Sequence, residues 1–299
     1  MSINDKIFYN EASSAKLGWK PEWLDHHSFD EILIRKIKAF QKAYSLKADG
    51  LLGPSTYRRL WTERESNIDE EYEEVKSDGK QNYLLYNNEF FPVKWEKVVL
   101  PFDFGGLSHS NGNFKKVYEK RKIPMFVTHW DVCLNSRSCF KVLEKRGISI
   151  HFAIDNDGTI FQFLDMNHIA WHGSKGKINS SSVGVEIANS YYPKYQGWYT
   201  KRGFDKRPMI TDAKVHGKTL DPFMGFYPIQ LKALKALMEC VHRACGVELQ
   251  TPSEKSVVPS VSSGKYKGFV HHYQIVKTKI DCAGLDLQPI INDIKKGET

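Results

Sequence analysis

No run of apolar residues in this 299-residue chain approaches the ~18 needed to cross a bilayer as a helix. The opening residues, Met1-Ser-Ile-Asn-Asp-Lys6, have no apolar stretch behind their lysine of the kind that directs secretion. These absences lead to the expectation of no stable membrane insertion and of synthesis in a cytoplasm without a signal peptide. Cysteine is scarce as well. Five residues, an odd number and widely spread, exclude a disulfide-rich scaffold. No internal repeat or longer low-complexity tract is present, which excludes solenoids and fibrous arrays. What the chain does have is apolar content: 41% hydrophobic with 13% aromatic, ample for a packed core and incompatible with global disorder. Its 43 Lys and Arg against 35 Asp and Glu give a net charge of +8, which favours an anionic polymer as partner. No recognised nucleic-acid module accompanies that charge, so nucleic acid is not expected as the partner.

Residues 28–62 read as a compact helical unit. Ser28 can cap a helix in which Ile32, Ile34, Ile37, Phe40, Gln41 and Tyr44 follow largely at helical spacing. Asp49-Gly50 makes a turn, and Gly53-Pro54-Ser55-Thr56 makes another and starts a helix with Tyr57, Leu60 and Trp61 on its apolar face. The run Ile37-Lys-Ala-Phe-Gln41, then Ala48-Asp-Gly-Leu-Leu-Gly-Pro-Ser-Thr-Tyr57 and Leu60, resembles the peptidoglycan-binding domain found on many wall hydrolases. Between 63 and 82 the composition turns acidic (Glu63, Glu65, Asp69, Glu70, Glu71, Glu73, Glu74) with almost no apolar anchors, as in a linker or a solvated helix.

From about Tyr83 the pattern is mixed α and β. Val98-Val99-Leu100 and Met125 to Trp130 suit strands. Arg137 to Arg146 suits a helix stopped by Gly147. Ile150 to Ile154 and Thr159 to Phe163 read as strands joined by the turn Asp155-Asn-Asp-Gly158, and Val183 to Ala188 as another strand. Pro228 opens a long amphipathic helix carrying Leu231, Leu234, Leu237, Met238 and Val241. Phe269 to His272 reads as a last strand, Leu287 to Ile294 as a closing helix, and residues 191–227 as a long surface insertion. The expected architecture is therefore α/β, a mixed central sheet flanked by helices and preceded by a small three-helix domain: residues 1–62, a linker over 63–82, and a larger domain over 83–299.

His129, at the exit of the strand from Met125, lies where strands of an α/β sheet hand residues to a site. His271, His272, Asp281 and Cys282 supply further donors near the C-terminus. A catalytic zinc takes three ligands from His, Cys or carboxylate and leaves a fourth position open.

From Phe126 onward the chain resembles the zinc-dependent type 2 N-acetylmuramoyl-L-alanine amidases, a family that includes phage lysins and is related to the animal peptidoglycan recognition proteins. The matching segments, in the family's order, are Phe126-Val-Thr-His129, His151-Phe-Ala-Ile-Asp-Asn-Asp-Gly-Thr-Ile-Phe-Gln162, Ala170-Trp-His-Gly173, Asn179 with Ser182-Val-Gly-Val-Glu186, and His271-His272 with Lys279-Ile-Asp-Cys-Ala-Gly284. The resemblance implies Zn2+ held by His129, His272 and Cys282, with a rival register of His271 and Asp281. Alanine at 283, where the family usually has proline, leaves both registers open. It further implies Glu186 as general base and acid, since Ile150 stands where the phage-lysozyme branch has a tyrosine. Lys279 would stabilise the oxyanion, although it stands three positions before Cys282 rather than two. Trp171, His172 and Asn179 would line the substrate groove. Cys133 and Cys139 are spaced like a disulfide of the recognition proteins.

The activity so implied is hydrolysis of the amide between N-acetylmuramic acid and L-alanine in bacterial peptidoglycan. The setting would be a monomeric phage endolysin that reaches the wall through a holin-like partner. A non-catalytic recognition protein and a zinc peptidase acting on the stem peptide are the alternatives.

Overall fold

The computed structural model describes residues 1–298. The chain opens with a helix that the apolar pattern did not announce, α1 (Ile3–Leu17), closed at its N-terminus by a reciprocal cap between Ser2 and Asp5. Only Asn10 and Leu17 of α1 are buried, so its apolar stripe is too thin to read. Helices α2 (Glu31–Ala43) and α3 (Pro54–Ser66) complete the unit. The cap of α2 is Asp30, which accepts from Leu33 N at 2.9 Å, and not Ser28. Gln41 explains the motif around it. Its amide donates to Asp49, to the Leu51 carbonyl and to Thr56, while its oxygen accepts from Gly50 N. Gly50 occupies the left-handed region (φ 79°) that lets the turn close over that amide.

After α3, residues 67–81 form no helix or strand and lie against the larger domain rather than swinging free. Glu74 and Asp157 both pair with Lys97, at 2.7 and 3.4 Å, and Arg202 donates to the Glu70 carbonyl. A hairpin of β1 (Asn82–Tyr86) and β2 (Glu89–Val93) and the short β3 (Val98–Val99) and β4 (Phe114–Lys115) lead to β5 (Met125–Trp130). Then come α4 (Ser136–Arg146), β6 (Phe152–Ile154), β7 (Ile160–Gln162), β8 (Ile169–Ala170), α5 (Gly176–Ser181) and β9 (Ser182–Ile187). The insertion carries α6 (Gln196–Thr200) and the ribbon strands β10 (Met209–Ile210), β11 (Lys214–Val215), β12 (Lys218–Thr219) and β13 (Phe223–Met224). After α7 (Pro228–Cys245) and α8 (Pro259–Ser262) the main sheet is completed by β14 (Gly268–His271). The order across it is β14-β5-β9-β6-β7-β3, with β14, β5, β9 and β6 mutually parallel and only the β6–β7 hairpin antiparallel. β5 and β9 are buried along their whole length, although Thr128 and His129 interrupt the apolar run of β5 and Ser182, Gly184 and Glu186 alternate with Val183, Val185 and Ile187 in β9. α7 and the closing helix α9 (Gln288–Glu298) pack in the main core.

Two expectations need correcting. The stretch 191–227 is not merely a surface insertion. Tyr195, Trp198, Tyr199, Phe223 and Met224 are buried, and Arg207 is enclosed, donating to the carbonyls of Ala188 and Gly225 and to Asn156. Its polar composition hid this, because a guanidinium can be buried only where acceptors from elsewhere in the chain meet its N–H groups, and residue spacing does not show those acceptors. The helical unit, moreover, shares one apolar core with the larger domain. Leu33, Ile37, Tyr57 and Leu60 join Cys133, Val142, Leu143, Phe161 and Phe163 in a single cluster. Thr62 donates to the Val132 carbonyl, Trp61 to Ser138, and Glu63 accepts from Tyr195 and Lys194.

Candidate metal centre and catalytic cleft

His129 is the penultimate residue of β5, and His272 follows the last residue of β14, the neighbouring parallel strand. Parallel strands end on the same side of a sheet, so both imidazoles emerge at its C-terminal edge. Asp281 returns to them on the loop after β14. The His129 Nδ1 lies 2.9 Å from His272 Nδ1 and 3.2 Å from Asp281 Oδ2, and His272 Nδ1 lies 2.9 Å from the same oxygen. All three residues are buried.

Two ring nitrogens and a carboxylate oxygen converging this closely are close to the ligand spacing of a tetrahedral zinc site, about 3.3 Å edge to edge for bonds of 2.0–2.1 Å. The outward nitrogens fit as well. His129 Nε2 is 3.0 Å from His172 Nδ1, and His272 Nε2 is 2.8 Å from Ser174 Oγ. Each imidazole can therefore present a lone pair inward while its other N–H finds an acceptor, the arrangement that fixes the tautomer of a metal-binding histidine. Burial, reinforced by His272, pushes His129 down to about 4, so its ring is neutral near pH 7. Burial alone would raise the Asp281 carboxyl, but the two imidazoles outweigh it and hold the group well below the usual range, ionised.

The donor set thus takes His272 from one expected register and Asp281 from the other. Cys282 does not join it. Its side chain is fully buried in the main apolar core, and burial, with Asp281 and Glu186 adding to it, pushes the thiol well above its ordinary value. A thiolate there would be unsolvated beside a carboxylate. His271 turns to the opposite face, its Nδ1 2.8 Å from Thr128 Oγ1. Cys133 and Cys139 are free and buried. With Asp131 they form a second group whose donor atoms lie within 4.8 Å of one another.

Glu186 sits on β9 directly opposite His129 in the parallel register, so both side chains leave the sheet on one face. Its carboxyl is pushed up to about 8, chiefly by burial, against the pull of Arg58. Glu186, Lys279, Trp171, His172 and Asn179 all line one cleft of about 790 Å³ together with His129, His272 and Asp281. Lys279 is lowered by burial, with Arg58 and Arg146 acting in the same direction. Trp171 is the most open of these (37% exposed), as suits a group that meets a ligand. Asn179 works on the protein itself: its side-chain oxygen accepts from the backbone N–H groups of His172 and Gly173, pinning the loop that carries His172. Sequence reasoning missed Arg58, Arg146 and Ser174 in this cleft. Arg58 comes from α3, and nothing in its local pattern signals a neighbour on β9.

The mixed sheet, flanked by helices and with a small helical unit against its cleft, carries at its C-terminal edge three donors able to hold a metal ion, beside a buried glutamate. The chain belongs to the N-acetylmuramoyl-L-alanine amidase family, whose profile matches residues 119–284. A second profile, the putative peptidoglycan binding domain, matches residues 15–60. No curated protein sequence matches the chain. Among solved structures it is similar to AmpDh3 from Pseudomonas aeruginosa in complex with anhydromuramic pentapeptide (17% identity, 63% of this chain and 66% of that one, TM-score 0.38). A mutant endolysin from Bacillus subtilis is 14% identical over 68% of this chain and 99% of that one, with TM-score 0.37. The Drosophila peptidoglycan recognition protein PGRP-SA is 14% identical over 67% and 91%, with TM-score 0.34. The chain spans about two thirds of the length of AmpDh3 (66%).

Proposed function

We propose that this protein is a zinc-dependent peptidoglycan hydrolase that cleaves the amide between N-acetylmuramic acid and L-alanine, with His129, His272 and Asp281 holding the ion. The observation that carries the reading is the convergence of those three donors within 3.2 Å beside Glu186, in a chain of this family. A zinc ion there supplies Lewis acidity toward an amide carbonyl and toward water.

The chain's own residues do the rest. Glu186 takes the proton from the attacking water and later delivers it to the amine of L-alanine as the C–N bond breaks. A carboxyl near the working pH suits both halves of that exchange. Lys279, in the same cleft, offsets the negative charge that develops on the lactyl carbonyl oxygen. Trp171 packs against the sugar or the peptide, and Asn179 keeps the His172 loop in place. The helical unit holds the wall and raises the local concentration of scissile bonds. One chain that both binds and cuts peptidoglycan fits the role of a phage endolysin.

The test is digestion of purified cell walls with and without chelator, with the products read by mass spectrometry. The reading expects soluble stem peptides with a free L-alanine amine, lost on chelation and restored by zinc. Peptides cut internally would make the enzyme a peptidase. No release in any condition would make the protein a receptor.

A further inference from the structure

The cleft has two walls of different origin. One is the sheet edge with His129 and Glu186. The other is the helical unit, which contributes Tyr44 and Ser45 from the end of α2 and Ser55, Arg58 and Arg59 from α3. Arg58 is only 14% exposed, and its guanidinium comes no nearer than 3.9 Å to Glu186, beyond hydrogen-bond reach. No side-chain hydrogen bond of Arg58 is found among the described residues. Arg146, in the last turn of α4, lines the same cleft, and its Nε is buried without a partner. The two guanidiniums are close enough that Arg58, after burial, is what lowers Arg146, to about 9.

Two partly buried cations with donors left over are an unfavourable arrangement for a structural ion pair. Buried charges are normally paired and hydrogen-bonded, and one carboxylate at 3.9 Å does neither for both. An interface built only for stability would be better served by apolar side chains of the same volume. Both side chains line an open cleft, and a guanidinium is the group whose planar fork matches a carboxylate in two parallel hydrogen bonds.

We propose that Arg58 and Arg146 form a carboxylate-binding subsite that grips a free carboxylate of the substrate's peptide beside the scissile amide. The helical unit is then a wall of the catalytic cleft and a source of substrate specificity, as well as an anchor. This rests on the proposed function for the identity of the peptide. The anion chemistry itself is read from the two arginines.

The test is calorimetric titration of the full-length protein, kept metal-free so that the probe is not consumed. The probes are a soluble N-acetylmuramoyl tripeptide with free carboxylates and the same molecule with its carboxylates converted to carboxamides. The wild type is expected to bind the acid at least tenfold more tightly than the amide. Arg58→Ala and Arg146→Ala each remove most of that preference, and Arg58→Lys keeps the charge but only part of it. Retention on insoluble wall and the melting temperature are read in parallel, so a misfolded Arg58→Ala is recognised and Arg146→Ala and Arg58→Lys decide. Equal affinity for acid and amide in the wild type, or a preference that survives both alanine variants, overturns the proposal. Peptide release from walls by the zinc-loaded wild type is measured separately. An enzyme that fails there yet prefers the acid keeps this subsite and loses the proposed reaction.

Discussion

His129 and Glu186 are direct cross-strand partners on β5 and β9. The parallel register therefore sets the distance between the proposed metal donor and the proposed proton carrier, and no loop conformation is involved. A slip of one residue would turn one of the two to the other face, and both strands are buried throughout, so the register is strongly specified. Glu186→Gln keeps size and shape while removing the titrating group. The expectation is a kcat lower by about 10²–10⁴, the usual worth of general acid–base catalysis, with metal content and melting temperature little changed. Release of peptides from purified walls measures it, and a variant within a few-fold of wild type takes Glu186 out of the proton work.

The donor set makes a prediction that separates neighbours in the sequence. Asp281→Ala should leave the protein with far less than one bound zinc, because it removes the anion that both imidazoles face. Cys282→Ala and His271→Ala should retain full zinc. The first removes only a buried core thiol, at a cost of about 1 kcal/mol, typical of a point change, and the second a hydrogen bond to Thr128. Metal analysis of the three purified variants decides. Loss of zinc from Cys282→Ala would return the site to the thiolate register.

Much of this centre was legible in the sequence, and the part that was not has a physical reason. A strand ending in histidine and a His-His pair followed by Asp-Cys can be found by eye. Which of two adjacent side chains turns inward depends on where β14 stops: it ends at His271, so His272 leaves the strand toward the cleft. Residue spacing does not encode that. The buried strands, the Asp155–Gly158 hairpin turn and the Gly147 stop announce themselves through local rules of propensity and turn chemistry. Helix α1 does not, since it buries almost nothing on its own. Nor does the contact of Arg58 with Glu186, which exists only because two separately patterned units share a core.

That shared core has a thermodynamic consequence. Leu60 of α3 is buried in the cluster that also holds Val142, Leu143 and Phe161. Two units tied in this way unfold together, whereas domains joined by a linker melt separately. Calorimetry of the wild type is expected to give a single cooperative transition. Leu60→Ala should lower the stability of the whole by about 2–5 kcal/mol, the range for deleting a buried leucine side chain, without splitting the peak. An early, separate transition in the variant would show that the helical unit is an independent module.

The last prediction concerns acid. Glu144, on α4 two residues before Arg146, ties that helix to the loop between β3 and β4. It lies 2.6 Å from His109 Nδ1, 3.0 Å from Asn113 Nδ2 and accepts from Ser110. Burial opposes its charge, but these partners outweigh burial and hold the carboxyl down to about 2, against an ordinary 4.5. A carboxyl whose folded value is depressed binds fewer protons in the folded state than in the unfolded one. Its contribution is therefore fully present above about 4.5 and is lost as pH falls toward about 2. At 1.36 kcal/mol per unit the ceiling is about 3 kcal/mol, and solvent screening of this partly exposed carboxyl brings its contribution well below that. Glu144→Gln cannot titrate, so its stability deficit against wild type should be greatest at pH 6 and shrink steadily between pH 4.5 and 2.5, read as urea midpoints across that range. A deficit independent of pH would mean that Glu144 acts by packing alone.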